Sequence, residues 1–307
     1  MISLITQAFF SIAENTSLVV LEFVCLHFPL VLGAYFTISL MKIPDLSIEA
    51  AYVCGSITGV RMLVMTNDWP LLPAAIVCFG ASIVGGLLVG FTSSMLTSKA
   101  RFPHLLSSIL TAGIFHGVNQ FFLGTSNVSI TSRRNLIGLL NYLRRYPELP
   151  SLLIATGLLL LAGYFFLRTK LGTSLAVYGN NPRFFENYGI STRFVFISGV
   201  MISNGLAGLG GFFDAQASGF VDVNMGAMKA LFCINSIILG KTIVGSDKPY
   251  SIWVPIVGSL SYFVIIQLLL KVNFNLKYFT MVNSLIVAII LIVKYRQSRM
   301  RSQLLGV

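Results

Sequence analysis

A short polar segment near the N-terminal end of the chain carries two carboxylates that can bind a solute or an ion. Asp45 and Glu49 are four positions apart with Ser47 between them, so a helix over this segment would place both acids on one face. Acidic side chains at a break between membrane helices are candidates for contact with a polar solute. The alternative is structural. Asp45 or Ser47 caps the next helix, and Glu49 pairs with Lys42.

Three further polar residues are candidates for a solute path. His116 lies in the middle of an apolar run, where an imidazole can contact a substrate or relay a proton. A single hydrogen bond from His116 to a neighbouring helix would also account for it. Asp222 and Asn224 lie in a polar, glycine-punctuated stretch, 214–226, that we predict to be a loop. The predicted path residues are Asp45, Ser47, Glu49, His116, Asp222 and Asn224.

Catalysis and metal binding are not indicated. The sequence shows no Ser-His-Asp arrangement and no spaced set of metal ligands. The four cysteines lie in apolar runs without paired spacing, which indicates small buried side chains rather than a metal site or disulfides. No glycine-rich phosphate-binding motif with a lysine is present. We therefore predict no enzymatic activity, no cofactor, no metal and no ATP binding of that kind.

The stretch 168–193 is the one long polar interruption in the C-terminal half, with four basic residues and one acid. Asn181 can cap a short helix, Pro182 suits its first position and Gly189 can end it. This pattern predicts about two helical turns over 182–188. The aromatic side chains on these turns are Phe184, Phe185 and Tyr188. Such a helix either fills a groove on a partner protein or lies at the lipid interface.

The elements that position these residues must be membrane helices. Hydrophobic residues make up 55% of the chain and charged residues 10%, whereas soluble domains contain roughly 25% charged residues. Apolar runs that can cross a bilayer recur along the chain, so we predict an all-α integral membrane protein, a polytopic bundle of about eight to ten transmembrane helices. Residues 1–17 are predicted to be an interfacial segment broken at 14–17, residues 18–294 the transmembrane domain, and residues 295–307 a basic cytoplasmic tail.

Nine spans are predicted. A helix break, a short span and paired glycines among them favour a solute path between closely packed helices. Pro44 breaks the chain between the first two, and the seventh, about 227–240, is short, as helices beside a solute path often are. Glycines four apart, Gly55 with Gly59 and Gly113 with Gly117, allow close contact between backbones. The predicted spans are about 18–40, a helix that ends near 65, 70–97, 105–123, 149–167, 194–213, 227–240, 250–270 and 278–293.

The net charge of +11 indicates positively charged loops on the cytoplasmic side of the membrane and not a nucleic-acid-binding site. If the 168–193 stretch and the tail lie inside, lysines and arginines are more numerous inside than outside, and the N-terminus lies outside. An outer loop over 124–148 then carries several arginines. We predict that Arg133 and Arg134 in this loop meet acids on an extracytoplasmic binding protein.

Two segments resemble a known family. Residues 171–190 read LGTSLAVYGNNPRFFENYGI and are similar to the cytoplasmic coupling loop of ABC importer permeases, nearest the branched-chain amino acid and simple-sugar (ribose-type) permease family. Residues 43–49 read IPDLSIE and resemble a segment of the permease subgroup that is paired with lipoprotein-type solute-binding proteins. The chain has Phe184 and Phe185 where the family prefers small residues.

The resemblance implies a permease subunit of an ABC importer in the bacterial inner membrane. Its implied partners are a cytoplasmic ATP-binding subunit, an extracytoplasmic substrate-binding protein and a second permease subunit, expected to be an identical copy. The expected solute is small, polar and organic, such as an amino acid. An ion-coupled secondary transporter is the alternative. The residues implied to contact the ATPase are Asn181, Pro182, Arg183, Phe184, Phe185, Glu186, Tyr188 and Gly189.

Overall fold

The structure, a computed structural model, describes residues 2–131, 135–138, 148–187, 189–245 and 251–271, together with positions 281, 284–285, 288–289 and 292. Almost all of these residues are helical, which confirms the predicted all-α class. Two short strands, β1 (Asn127–Ser129) and β2 (Phe220–Asp222), pair antiparallel with Val128 opposite Val221. The helices are α1 (Ile2–Ala34), α2 (Ser47–Met65), α3 (Leu71–Ala100), α4 (His104–Leu123), α5 (Leu149–Arg168), α6 (Lys170–Asn180), α7 (Phe184–Asn187), α8 (Thr192–Ser218), α9 (Lys229–Val244) and α10 (Trp253–Lys271).

Within the described ranges, six helical stretches are long and apolar enough to cross a membrane, and each overlaps a predicted span. The predicted fourth and seventh spans correspond to α4 and to the short α9, which are 20 and 16 residues long. The predicted ninth span, 278–293, and the tail, 295–307, lie almost entirely outside the described residues. The six stretches are Ser17–Leu40, Ser47–Met65, Leu71–Ala100, Leu149–Arg168, Thr192–Ser218 and Trp253–Lys271.

Two predicted boundaries are wrong because polar residues continue a helix, and one helix was not predicted. The prediction of a break at 14–17 fails, since α1 runs without interruption from Ile2 to Ala34. Stretch 214–226 is not wholly a loop, because α8 continues to Ser218. The 168–193 stretch contains the 11-residue helix α6, which was not predicted. Polar residues in a helix interior cost only up to about 0.7 kcal/mol each, so a few of them do not end a helix that packing supports.

The chain breaks between α1 and α2, as the sequence predicts. The last turns of the first span, Tyr35–Leu40, form a π-helix, a geometry that is frequent at functional sites. The segment 41–46 is then non-helical, and its backbone is tied back by a 2.9 Å hydrogen bond from the Ile43 amide to the Thr37 carbonyl. This bond holds the segment beside the helix it has just left. Helix α2 begins at Ser47.

Helix α8 lies at the centre of the bundle and packs against α1, α2 and α3. The contact between α2 and α8 is a close backbone crossing, because a Cβ on Gly55 would collide with the Gly208 backbone. A Cβ on Gly59 would meet the Phe212 ring at the next turn of α8. The predicted glycine packing is therefore present at this crossing, while Gly113 and Gly117 on α4 face open space.

Candidate functional site

A buried polar cluster joins the break before α2 to α8 and α4. One Asp45 oxygen, Oδ1, accepts hydrogen bonds from the Ser47 amide at 2.9 Å and from the Ser47 hydroxyl at 2.6 Å. The other, Oδ2, accepts from the Asn204 side-chain amide at 2.8 Å. The His104 Nε2 at the start of α4 lies 3.6 Å from Oδ1, which is an ion-pair distance when the ring is protonated.

The environment of Asp45 favours its charged form. Burial by itself raises the pKa of this carboxyl, but the facing His104 ring and the hydrogen bonds from Ser47 and Asn204 together hold the pKa below its ordinary value. Only 2% of the residue is exposed. The prediction that Asp45 and Glu49 share one helix face is wrong, because Asp45 precedes the first residue of α2. A part for Asp45 and Ser47 in the solute path stays a prediction.

Three of the predicted path residues meet at a second place, a cavity of about 190 Å³ between α2, α4 and the segment before α9. Glu49 lies at the first turn of α2, His116 on α4 and Asn224 after β2, and Asn119 of α4 joins them. His116 and Asn224 are exposed where the cavity opens, and Asn119 is buried. The cavity is lined by Glu49, Ala50, Val53, Ala112, His116, Asn119, Val223, Asn224, Gly226 and Ala227. We call residues 223–228 the wall segment, because most of them form one side of this cavity.

Asp222 does not line this cavity. Its Oδ1 accepts a 2.6 Å hydrogen bond from the Asn224 amide, and its backbone pairs with Asn127 in the two-stranded sheet. Asp222 therefore shapes the turn from β2 into the wall segment. Direct contact between Asp222 and a solute stays a prediction.

Sequence reasoning missed a charge network, which consists of His27, Tyr52, Asp214 and Lys229. The Lys229 ammonium lies 2.8 Å from the His27 Nε2 and 3.2 Å from the Asp214 Oδ2. The Tyr52 hydroxyl donates to the same Asp214 oxygen at 2.6 Å, and its ring centre lies 4.7 Å from the ammonium. Lys229 and His27 lie inside apolar runs, which could have indicated this network. Asp214, which lies near both, was assigned to a loop and was therefore not considered as their partner.

The 168–193 stretch, which we call the coupling segment after its predicted role, is built differently from the prediction. Helix α6 begins at a Thr169 cap, whose hydroxyl accepts a 3.1 Å hydrogen bond from the Gly172 amide. The predicted helix over 182–188 shrinks to the single turn α7, and Asn181 ends α6 instead of beginning α7. Gly189 follows with a φ of 66°, a left-handed conformation that glycine adopts without strain.

The two adjacent phenylalanines of the coupling segment differ in exposure. Phe184 is 40% exposed, whereas Phe185 is 2% exposed and belongs to the hydrophobic core. The prediction that Phe185 is presented to a partner is therefore wrong, because the short turn directs it inward. The exposed positions before it are Asn181, Pro182 and Arg183. Tyr188, Arg133 and Arg134 lie outside the described residues, as does the side chain of Glu186.

The coupling segment contacts the break between α1 and α2. The Lys42 ammonium donates a 2.7 Å hydrogen bond to the Asn180 side-chain oxygen at the end of α6. One residue earlier, Gly179 packs against the Leu40 carbonyl so closely that no Cβ would fit. Lys42 is therefore bound to α6, and the alternative that it pairs with Glu49 is wrong. Movement of α6 would be transmitted to the segment that carries Asp45.

Comparison with known proteins connects this architecture to transport. A family described as the permease component of branched-chain amino acid transport systems matches residues 21–293. The tyrosine transport system permease protein of Clostridioides difficile is 31% identical over 215 residues, which are 69% of this chain and 68% of the relative. An uncharacterised protein of Rickettsia prowazekii is 30% identical over 85% of this chain and 91% of its own length.

A more distant relative extends the comparison to another solute. The autoinducer 2 import system permease protein of Escherichia coli is 26% identical over 61% of this chain and 54% of its own length. No solved structure matches the chain. The family match covers most of the chain, including the break, the cavity and the coupling segment. The chain therefore belongs to the family of branched-chain amino acid transport system permease components, and it is an ABC transporter permease subunit that crosses the bacterial inner membrane several times.

Proposed function

We propose that the chain forms the translocation path of an importer for a small polar organic solute, an amino acid, and that a separate ATP-binding subunit drives it. The observation that carries this proposal is the cavity of about 190 Å³ at Glu49, His116, Asn119 and Asn224, which polar side chains line within a largely apolar bundle. Polar groups inside a membrane domain are costly and mark solute pathways. The family membership favours ATP-driven import over an ion-coupled secondary transporter.

The lining of the cavity suits the two charged ends of an amino acid. Glu49 is the acid among the lining residues and can receive an ammonium group in a charge-assisted hydrogen bond. His116 and the amides of Asn119 and Asn224 can donate to a carboxylate or a hydroxyl. Since a relative is named for tyrosine transport, we take L-tyrosine as the first solute to test.

A second copy of the chain completes the cavity in this proposal. His116 and Asn224 are exposed on the open side, where contact with lipid would be unfavourable. Gly113 and Gly117 also lie on α4. No described residue lies within 4 Å of either Cβ position, so another helix can approach closely there. A dimer with α4 near its interface would enclose the path between the two subunits.

The ATP-binding subunit is proposed to contact the exposed surface of Asn181, Pro182, Arg183 and Phe184. The hydrogen bond from Lys42 to Asn180 supports this assignment, because it joins that surface to the break before α2. A substrate-binding protein is proposed to deliver the solute at the extracytoplasmic end of the bundle.

Uptake of radiolabelled L-tyrosine tests the proposed function. Cells that lack the chain are compared with cells that carry the parent chain or the Glu49→Gln variant. Glutamine keeps an acceptor oxygen but loses the charge. We expect KM to rise by about tenfold, because one charge-assisted hydrogen bond to the solute is lost. Asp68→Asn, an exposed acid in the turn after α2, is the matched control and should leave KM unchanged.

Two outcomes would count against the proposal. Tyrosine uptake that does not depend on the chain would exclude this solute, and L-leucine is measured in parallel for that reason. Uptake that continues after ATP depletion and stops when ion gradients are dissipated would support the ion-coupled alternative.

A further inference from the structure

The wall segment leads directly into the charge network. Asn224, Gly226 and Ala227 line the cavity, and Lys229 follows two positions later as the first residue of α9. The position of the Lys229 side chain therefore constrains one whole side of the cavity. No residue of the network other than Lys229 lies near this segment in sequence, so the constraint comes from α1, α2 and α8.

The start of α9 is also bound from the cavity side. The Glu49 Oε1 accepts a 3.2 Å hydrogen bond from the Ala230 amide, one of the donors that a helix N-terminus leaves free. Gly226 packs against the Glu49 carbonyl with no room for a Cβ. The contacts of Glu49 and the pairing of Lys229 thus both hold the junction between the wall segment and α9.

Strain at the junction indicates that these contacts hold it in place. Met228 has a φ of 65°, in the left-handed region that an unbranched side chain adopts only at an energetic cost. Such residues persist where the surrounding contacts over-determine the backbone, and they are frequent in segments that switch conformation. Here the strained residue lies immediately before Lys229.

The hydrogen bonds fix the roles within the charge network. The His27 Nδ1 lies 3.1 Å from the Phe23 carbonyl oxygen, which can only accept, so Nδ1 carries the hydrogen. Nε2 is then the acceptor for the Lys229 ammonium. Asp214 supplies the compensating negative charge and is itself held by the Tyr52 hydroxyl. The ammonium is therefore oriented by an acid and a neutral imidazole on two different helices.

We propose that Lys229 is a positioning residue for the solute cavity: its pairing with Asp214 and His27 holds the wall segment against α2, and loss of the pairing lets the wall segment move away. The inference rests on the proposed solute path. The partly buried charges of Lys229 and Asp214 then determine the shape of the path and do not contact the solute. A segment held by an ion pair can also be released as a unit when neighbouring helices shift.

A cysteine placed behind the wall segment reports its movement. Val53 is 3% exposed, lines the cavity and lies under Gly226. The Val53→Cys chain is purified at full length in lipid nanodiscs, and the rate of reaction with a polar maleimide is measured alone and together with Lys229→Met, with Asp214→Asn and with both. We expect either single change to raise the rate by at least about tenfold, because removing one partner leaves the other charge of a partly buried pair uncompensated. The double change should add little, since both substitutions remove the same interaction.

Controls separate local release from general loosening. Lys229→Arg keeps the charge and should react nearly as slowly as the Val53→Cys chain, and so should Lys271→Met at the exposed end of α10. The native Cys25, Cys54 and Cys78 are buried on α1, α2 and α3 and should stay protected. Unchanged reaction at position 53 would overturn the proposal, and so would equal exposure of the native cysteines. No solute or partner is present, so the result is independent of the uptake test.

Discussion

Among single residues, Asp45 has both carboxylate oxygens hydrogen-bonded by neighbouring protein groups. Both carboxylate oxygens accept hydrogen bonds, from Ser47 on one side and from Asn204 on the other. His104 lies at ion-pair distance. A carboxylate in this condition holds neighbouring elements together, because its acceptors are already used. We infer that its first effect is to fix the non-helical segment before α2 against α8 and α4.

The pH dependence of stability tests this role of Asp45. A group whose pKa is lower in the folded state stabilises the fold above its unfolded pKa, about 3.9 for Asp, and the contribution is lost as the pH falls through the folded value. We expect Asp45→Asn to cost about 1–3 kcal/mol at neutral pH, because its buried partners lose an acceptor. The variant should also lose less stability than the parent between about pH 5 and pH 3.

Thermal unfolding of the detergent-solubilised chain over this pH range measures both effects. Asp68→Asn at an exposed position is the control and should behave like the parent chain. Equal unfolding temperatures for Asp45→Asn and the parent at neutral pH would show that the carboxylate has no such role.

Sequence reasoning found part of the site at the residue scale. Glu49 was selected as an acid at a helix break, His116 as a histidine in an apolar run and Asn224 as part of a polar stretch, and the fold brings them to one cavity. The partners of Lys229 were not predictable in the same way. His27 is 202 positions away, and a hydropathy pattern does not say which spans are neighbours.

At the scale of helices, glycine positions decide how closely α2 and α8 approach. An alanine Cβ at Gly55 would collide with the Gly208 backbone, and a backbone cannot move aside as a flexible side chain can. Gly113 on α4 belongs to a similar glycine pair in the sequence, but nothing lies within 4 Å of its Cβ position. Identical spacing therefore has different structural consequences on the two helices.

Alanine substitution should separate these two cases. We expect Gly55→Ala to lower the free energy of unfolding by about 1–3 kcal/mol, the usual cost of overpacking. Gly113→Ala should be neutral or slightly stabilising in the detergent-solubilised chain, since alanine favours helix. Denaturant titration of the two variants and the parent measures the difference. A neutral Gly55→Ala would contradict the close crossing.

Hydropathy predicts the existence of helices better than their ends. The six spanning stretches were predicted because each needs a long apolar run. The errors occur at Glu14 and Asp214, where polar residues continue a helix, and at α6, whose polar sequence was read as a loop. In each case tertiary contacts or a cap decide the result, and neither is visible in a local average.

At the scale of the whole molecule, the coupling segment and the cavity lie along one chain of contacts. Helix α6 binds the break at Lys42, the break carries Asp45, and α2 continues from there to Glu49 at the cavity. A displacement of α6 can therefore reach the cavity through α2 as a rigid element. We propose that this chain of contacts carries the motion of an ATP-binding subunit to the path.

Cross-linking tests the proposed second copy of the chain at the open side of the cavity. A Gly113→Cys chain in native membranes, treated with a short bismaleimide, should give a covalent dimer, because α4 is proposed to lie near the interface. Leu158→Cys on α5 is the control at another exposed position and should remain monomeric. A monomer at both positions, or a dimer at position 158 alone, would place the interface elsewhere.

We propose that the 168–193 stretch couples this permease to an ATP-binding subunit. Phe184→Asp is the informative change, because Phe184 is exposed, whereas changing the buried Phe185 would disturb the core. Phe220→Asp alters a comparably exposed ring, 45% against 40%, beyond the other end of α8. These two variants therefore form a matched pair.

The measurement is purification of the tagged chain from native membranes in mild detergent, with identification of the proteins that accompany it. We expect an ATP-hydrolysing subunit to accompany the parent and Phe220→Asp chains and to be lost from the Phe184→Asp chain. A parent chain that carries no ATPase, or a Phe184→Asp chain that retains it fully, would show that this stretch does not couple the permease to an ATPase.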